Sequence, residues 1–315
     1  MTARNLIDPA RVKRWFDRAA LNERRHAGVA EIIDEIRQRL FERLAYIRLQ
    51  PASIVDAGCA QGAAYPLLQS RYPKAHICGI DFSTQQIDRA QQQWAQPRNG
   101  WQAIQGQWQQ WLAGKRPIPR HGEFLCADMQ HLPQSAQSTD LLWSHAALQW
   151  VDNPPAVFAE WQRILRVDGL LMFSSFGPDT LIELRQALAR VWPAASPRTQ
   201  TLSFVDMHDL GDMLVNAGFA TPVVDMEKIT LTYGSPVDLL ADVRLFGPNP
   251  LHTRARGLLG RRSYQQLLQA LETQRGADGR LSLTLEVIYG HAWKAAPKTI
   301  ADGRAVVTFR PRAAG

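Results

Sequence analysis

Apolar residues follow two rhythms along this chain. Ile33, Ile36, Leu40, Leu44 and Ile47 recur at steps of three and four, which predicts one buried face of a helix from about Val29 to Arg48. Gln50-Pro51 ends it, because the residue before a proline is driven out of helical geometry. Short continuous apolar runs then take over. Residues 53–57 predict a buried strand, residues 58–62 a glycine-bearing turn, and residues 63–71 a helix. Pro73 breaks that helix, and His76 to Ile80 predicts a second strand ending at Asp81. Strand, helix and strand in this order make a βαβ unit, which is right-handed by a strong rule.

The alternation continues. A helix follows Ser83 as its N-cap. Strands are expected at Phe124 to Cys126, Asp140 to Ser144 and Leu170 to Ser175. Val157, Trp161, Ile164 and Leu165 mark a helix that ends before the turn pair Asp168-Gly169. Met207, Leu210, Met213, Leu214 and Ala217 stripe a further helix, stopped by Gly218. Strands from Val223 to Tyr233 and from Thr284 to Trp293 complete the set. This pattern predicts an α/β fold with a doubly wound, mostly parallel sheet of seven strands and helices on both faces. Residues 94–123, rich in Trp and Gln, read as a helix extension and a loop whose tryptophans pack. Residues 177–206 and 234–281 read as cap insertions at the sheet rim. The resulting organisation is an N-terminal helical cap (1–50), a main domain (51–294) carrying both insertions, and a tail (295–315) whose weak pattern predicts mobility.

Composition narrows the class. Hydrophobic residues make up 45% and charged residues 21%, as in an ordinary globular chain. No apolar run approaches the roughly 20 residues of a membrane span, so no membrane partner is expected. Asn5 to Pro9 is too short and polar for the apolar region of a signal peptide. Cys59, Cys78 and Cys126 are too few for a disulfide framework and form no C-x-x-C pair, so they read as buried, reduced thiols of a cytoplasmic protein. No histidines and cysteines fall at zinc-ligand spacing, and no metal is expected. His291 and Trp293 on the last strand read as core.

Charge adds a partner class. The net charge of +7 favours an acidic partner. Arginines cluster twice, at Arg11, Arg14, Arg18, Arg24 and Arg25, and at Arg254, Arg256, Arg261 and Arg262. Either cluster alone reads as a solvated face. Nucleic acid is the less favoured partner, because it calls for exposed aromatics interleaved with the cations along a groove.

The chemistry sits in the first βαβ unit. Asp56, Gly58 and Gly62 form D-x-G-x-x-x-G, which differs from the G-x-G-x-x-G of a dinucleotide site. The glycines allow close approach of a ligand. Asp81, 25 residues after Asp56, stands where such folds place an acid for ribose hydroxyls. Asp128 ends the third strand. An acidic turn with two further acids suits S-adenosylmethionine, which carries an amino acid, a sulfonium and an adenosine but no phosphate.

These residues carry a resemblance. Segments 55–62 (VDAGCAQG), 78–83 (CGIDFS), 126–133 (CADMQHLP) and 144–150 (SHAALQW) resemble the successive motifs of class I S-adenosylmethionine-dependent methyltransferases with a Rossmann-like fold. Segments 15–20 (WFDRAA), 148–166, 169–187, 206–233 and 279–293 narrow the likeness to the malonyl-[acyl-carrier protein] O-methyltransferases of biotin synthesis. The resemblance implies methyl transfer to the free carboxylate of a malonyl thioester and an acidic acyl carrier protein as partner, docked through Arg254, Arg256, Arg261 and Arg262. It implies cofactor contacts from Asp56, Gly58, Gly62, Asp81, Phe82, Asp128, Met129 and His145. Gln149 and Trp150 would position the reactants, and Arg185 and Asn249 are candidate substrate contacts. The chain departs from the family pattern at Ala60 and Gln61 in the glycine turn, at residues 21–25, where a tyrosine is usual, and at His145, where asparagine is common. Two other readings stand beside this one: a methyltransferase-shaped binding or assembly protein, and a methyltransferase acting on RNA or another small molecule.

Overall fold

The computed structural model describes residues 6–21, 27–94 and 122–296. The tail from 297, residues 22–26, which take in all but Leu21 of the family departure at 21–25 and include Arg24 and Arg25, and the tryptophans at 101, 108 and 111 lie outside the described residues.

The N-terminal segment forms α1 (Pro9–Ala20) and α2 (Ala27–Arg43). Asp8 caps α1 by accepting from the Arg11 N–H at 3.0 Å, and Pro9 at the first helical position supplies a preset φ. The predicted reach of α2 to Arg48 is shortened by a 3-10 turn at Leu44–Tyr46. The alternation then runs β1 (Ser53–Ala57), α3 (Tyr65–Arg71), β2 (His76–Asp81), α4 (Thr84–Trp94), β3 (Glu123–Cys126) and β4 (Thr139–Ser144). It continues with α5 (Pro154–Ile164), β5 (Leu165–Phe176), α6 (Ile182–Val191), α7 (Met207–Asn216), β6 (Phe219–Tyr233), α8 (Pro236–Phe246), α9 (Arg261–Glu272) and β7 (Leu281–Lys294).

The seven strands form one sheet in the order β3-β2-β1-β4-β5-β7-β6. β7 runs antiparallel to both its neighbours, and β1 to β5 pair in parallel. Chain order reverses between β1 and β4. In such sheets the crevice beyond the carboxyl ends of those two strands is the ligand site.

Period-two alternation sorts the core. Ile54, Leu141, Trp143, Leu170 and Met172 face a cluster shared with Ile36, Leu40 and Leu44 of the α2 region and with Leu68 of α3. Val55, Leu142, Leu171 and Phe173 face the opposite cluster, with Val157, Phe158 and Trp161 of α5 and Leu210 and Leu214 of α7. A third cluster at the rim joins α6, α8 and α9 to the ends of β6 and β7.

Three expectations change. α5 passes directly into β5 at Leu165, which pairs with Thr139, and Asp168-Gly169 forms an irregularity inside the strand rather than a separate connection. Cys126 is exposed, because β3 is the sheet edge, whereas Cys59 and Cys78 are buried. His291 and Trp293 are half-buried on β7, with Trp293 packed against the first cluster. Among the described residues no helix is long and apolar enough to cross a membrane.

Candidate functional site

The turn after β1 is built around left-handed backbone. Gly58 has φ +82°, and a Cβ there would lie 2.3 Å from the Ala147 Cβ. Gly62 has φ +73°, and its Cβ would meet the Phe124 ring at 2.8 Å. Between them Ala60 also takes a positive φ of 46°. The Gly58 and Cys59 N–H groups donate to the Ile80 carbonyl at 2.7 and 3.0 Å, tying the turn to the end of β2. Asp81 completes the tie. Its two oxygens accept from the Ser83 N–H at 2.8 Å and the Ala60 N–H at 3.0 Å. Burial pushes the Asp81 carboxyl up to about 6 and the Asp56 carboxyl up to about 7. Both groups are therefore poised for a ligand that brings hydrogen-bond donors or positive charge.

The end of β4 forms the facing wall. His145 Nε2 lies 3.0 Å from the Ile33 carbonyl of α2, and Nδ1 lies 2.8 Å from Ser174 Oγ on β5. A carbonyl only accepts, so Nε2 carries the proton and Nδ1 accepts from the serine hydroxyl. Burial holds the ring neutral by lowering its pKa to about 3. Both nitrogens are thus engaged in joining the N-terminal segment to the sheet. Gln149 donates through Nε2 to the Ala146 carbonyl at 2.6 Å, which leaves its buried Oε1 without a partner.

α1 closes the top. Lys13 Nζ donates to the Phe82 carbonyl, Ser83 Oγ donates to Asp17 at 2.5 Å, and Gln86 Nε2 donates to the Phe16 carbonyl at 3.1 Å. At its other end the Ile7 N–H donates to both Asp152 oxygens, at 2.9 and 3.1 Å. Phe16 then meets Phe82 and Trp150 edge-to-face, with centroids 5.9 and 5.6 Å away. Edge-to-face contacts of this kind fix ring orientation as well as burying area.

The result is a cavity of about 700 Å³. Asp56, Gly58, Asp81, Phe82, Asp128, Met129, His145, Gln149 and Trp150 line it, which brings nine of the expected site residues together. Gly62 stands behind the turn and allows it to pack on Phe124. Arg185 lies outside the lining, where its guanidinium donates to the Pro178 and Thr180 carbonyls. Asn249 is outside as well. Its side chain bonds Gln200 and Leu251, while its carbonyl accepts from Arg11 Nε at 2.9 Å, so it supports the strap beneath α1. Of the basic cluster, Arg254 donates to the Leu251 carbonyl, and Arg256, Arg261 and Arg262 are exposed. Among the described residues no group of three or more His, Cys, Asp or Glu side chains can hold a metal.

Sequence reasoning missed Val12 and Phe16 of α1, Leu245 and Phe246 at the end of α8, and Arg37 of α2. Arg37 had a signal. It lies four residues after Ile33, inside the apolar stripe, where a cation needs a reason to be.

Comparison with known proteins settles the family. Residues 55–173 match the family described as methyltransferase domain. The malonyl-[acyl-carrier protein] O-methyltransferase of Laribacter hongkongensis is 41% identical, with 99% of each chain covered. That of Gallionella capsiferriformans is also 41% identical, with 96% of each covered. The chain belongs to the malonyl-[acyl-carrier protein] O-methyltransferase family. It is an S-adenosylmethionine-dependent methyltransferase of class I fold. The fold of this family member is shared with the YcgJ protein of Bacillus subtilis, at 13% identity and a TM-score of 0.52, over 84% of this chain and all (100%) of that one.

The cavity suits the cofactor of the family. Asp81 keeps lone pairs beyond the two used by backbone N–H groups and can take ribose hydroxyls. Ile80, Phe82 and Met129 add apolar surface to the same cavity. The volume falls within the roughly 300–1,000 Å³ of ligand sites.

Proposed function

We propose that this methyltransferase esterifies the free carboxylate of a malonyl group carried as a thioester on acyl carrier protein, in biotin synthesis in the cytoplasm. The observation that carries this reading is an aromatic-walled cavity, roofed by α1, in which the one histidine among the described lining residues is neutral and engaged at both nitrogens. A carboxylate has a pKa of roughly 4 and reaches the site already ionised, so such a substrate needs no histidine base. Bound S-adenosylmethionine supplies an electrophilic methyl group. The protein's share is to align and to exclude water. Asp56, Gly58, Asp81, Phe82, Asp128, Met129 and the segment from His145 hold the cofactor. Gln149 and Trp150 set the position of the acceptor. Phe16, Phe82 and Trp150 form a dry wall that favours an anion becoming a neutral ester. The names of the relatives support the same substrate.

The carrier docks on arginine. Leu251 bridges to Ile7, the His252 N–H donates to the Leu6 carbonyl, and the Arg254 charge acts on Arg11. Arg11 and Arg254, one from each cluster, therefore come together where α1 roofs the cavity. Arg256, Arg261 and Arg262 continue this basic segment. Ala60 keeps a left-handed turn despite the lost glycine, which weakens the reading as a degenerate binding protein.

The test is to incubate the protein with malonyl-acyl carrier protein and S-adenosylmethionine and to follow the intact carrier by mass spectrometry. The expected result is a gain of one methyl group on the malonyl carboxylate, lost in Asp81→Ala. A wild type that binds S-adenosylhomocysteine yet forms no ester would overturn the substrate assignment.

A further inference from the structure

The strand order divides the cavity. Asp56, Asp81 and Asp128 lie at or just beyond the ends of β1, β2 and β3 on one side of the reversal, whereas Trp150 follows β4 and Phe176 closes β5 on the other. The acids suit the cofactor, so the second half is left to the group that receives the methyl. Leu245 and Phe246, in the last turn of α8, contribute to the cavity wall. The next residue, Gly247, comes against Trp150. A Cβ on Gly247 would lie 2.7 Å from the Trp150 Cζ2 and closer still to Cη2, an approach that only a residue without a side chain allows.

Trp150 borders the cavity and Gly247 does not, so the glycine backs the outer edge of the indole. A group added at 247 pushes on that edge. The chain there cannot retreat at little cost. Pro248 follows with its fixed φ, and the strap beyond it is tied to the start of α1. The Asn249 carbonyl accepts from Arg11 Nε at 2.9 Å, the Pro250 carbonyl accepts from the Asp8 N–H at 2.8 Å, and Leu251 bridges to Ile7. The indole is a rigid plate that meets Phe16 edge-to-face at 5.6 Å, and it yields toward the cavity. The missing side chain at 247 thus sets how far Trp150 stands back, and with it the room in the acceptor half.

We infer that Gly247 is a specificity-determining residue, which through Trp150 sets the length of acyl chain admitted beside the cofactor. The substrate class is a thioester of a short dicarboxylic acid, and the position of the ring favours malonyl over its longer homologues. The inference rests on the substrate proposed above. It assigns part of the selectivity to the end of α8, outside the glycine turn, the strand-end acids and the segment after β4. One methylene in an apolar pocket is worth roughly 10- to 200-fold in kcat/KM, which sets the size of effect expected.

The test measures kcat/KM for malonyl-, succinyl- and glutaryl-pantetheine, and affinity for S-adenosylhomocysteine, in wild type, Gly247→Ala, Trp150→Phe and the double variant. Gly247→Ala is expected to lower kcat/KM for malonyl-pantetheine about tenfold or more and to leave S-adenosylhomocysteine affinity unchanged. Trp150→Phe removes the atoms that Gly247 backs, so it shifts preference toward the succinyl and glutaryl thioesters by about tenfold or more. In that background Gly247→Ala costs less than about twofold, because the two residues act through one contact. Loss of S-adenosylhomocysteine affinity in parallel with kcat/KM would make Gly247 a support of the whole cavity and overturn the assignment. An equal cost of Gly247→Ala in both backgrounds would overturn it too. So would an unchanged length preference in Trp150→Phe, an arm that stands even if Gly247→Ala fails to fold. A wild type that binds S-adenosylhomocysteine yet methylates none of the three thioesters would remove the proposed substrate, and this inference with it.

Discussion

At the scale of single residues the site depends on backbone that side chains normally disfavour. Ala60 stands in the left-handed region at φ +46°, flanked by glycines at 58 and 62 that take positive φ without a Cβ clash with their own backbone. It stays there because its N–H donates to Asp81, the carboxylate that also holds Ser83. An L-residue in this region costs about 1–2 kcal/mol. Ala60→Gly is therefore expected to stabilise the protein by about 1 kcal/mol, after the greater flexibility of glycine in the unfolded chain is offset. Urea denaturation would show it as a higher midpoint at unchanged slope. A lower midpoint would mean that Ala60 is not strained. The sequence marks Ala60 as unusual, since the neighbouring glycines are visible. It does not show that the turn keeps its shape, because the compensating bond comes from a residue on another strand.

At the scale of elements, what is legible and what is not divides by sequence distance. The run from β1 through the glycine turn and α3 to β2 can be read from residues 53–81, because strand burial, turn chemistry and helix face are all local there. The limits of β5 cannot, since pairing with Thr139 recruits Leu165 into a strand that local pattern assigns to a helix. α1 is the more consequential case. The cap is expected from its place at the N-terminus, but its pins are contacts with residues more than sixty positions away, from Asp17 to Ser83 and from Phe16 to Gln86. The Ser83 hydroxyl bond to the Asp17 carboxylate is charge-assisted and worth about 1.5–3 kcal/mol. Asp17→Ala removes it while keeping the Ser83 hydroxyl as cap for the Gln86 N–H and the Ser83 backbone bond to Asp81. Release of S-adenosylhomocysteine, followed by stopped-flow, is expected to speed up about tenfold with a nearly constant association rate, because contacts of this kind act mainly on dissociation. An unchanged release rate would show that α1 does not gate the cavity.

At the scale of the whole molecule, the net charge is +7, and several of its arginines gather beside α1. Arg14 and Arg18 lie exposed on α1. The Arg254 segment is held beside that helix by the Asp8 N–H to the Pro250 carbonyl at 2.8 Å and the His252 N–H to the Leu6 carbonyl at 2.9 Å. α9 opens with Arg261 and Arg262 and has no acid in its first turn, so side chains and helix N-terminus raise the same positive potential. Arginines placed against the helix dipole are a poor choice for stability and a good one for drawing in an acidic partner. A carrier protein attracted to Arg14, Arg18 and the Arg254 segment would present its acyl arm to the side of the molecule that α1 covers. Arg14→Glu combined with Arg254→Glu is then expected to raise KM for malonyl-acyl carrier protein about tenfold or more, with kcat kept, and to flatten its dependence on salt. Methylation of malonyl-pantetheine, which lacks the carrier's charge, serves as the internal control. Equal loss on the small thioester would place these arginines in the chemistry rather than in docking. An unchanged KM on the carrier would leave them as a solvated surface, with the carrier recognised through its arm alone.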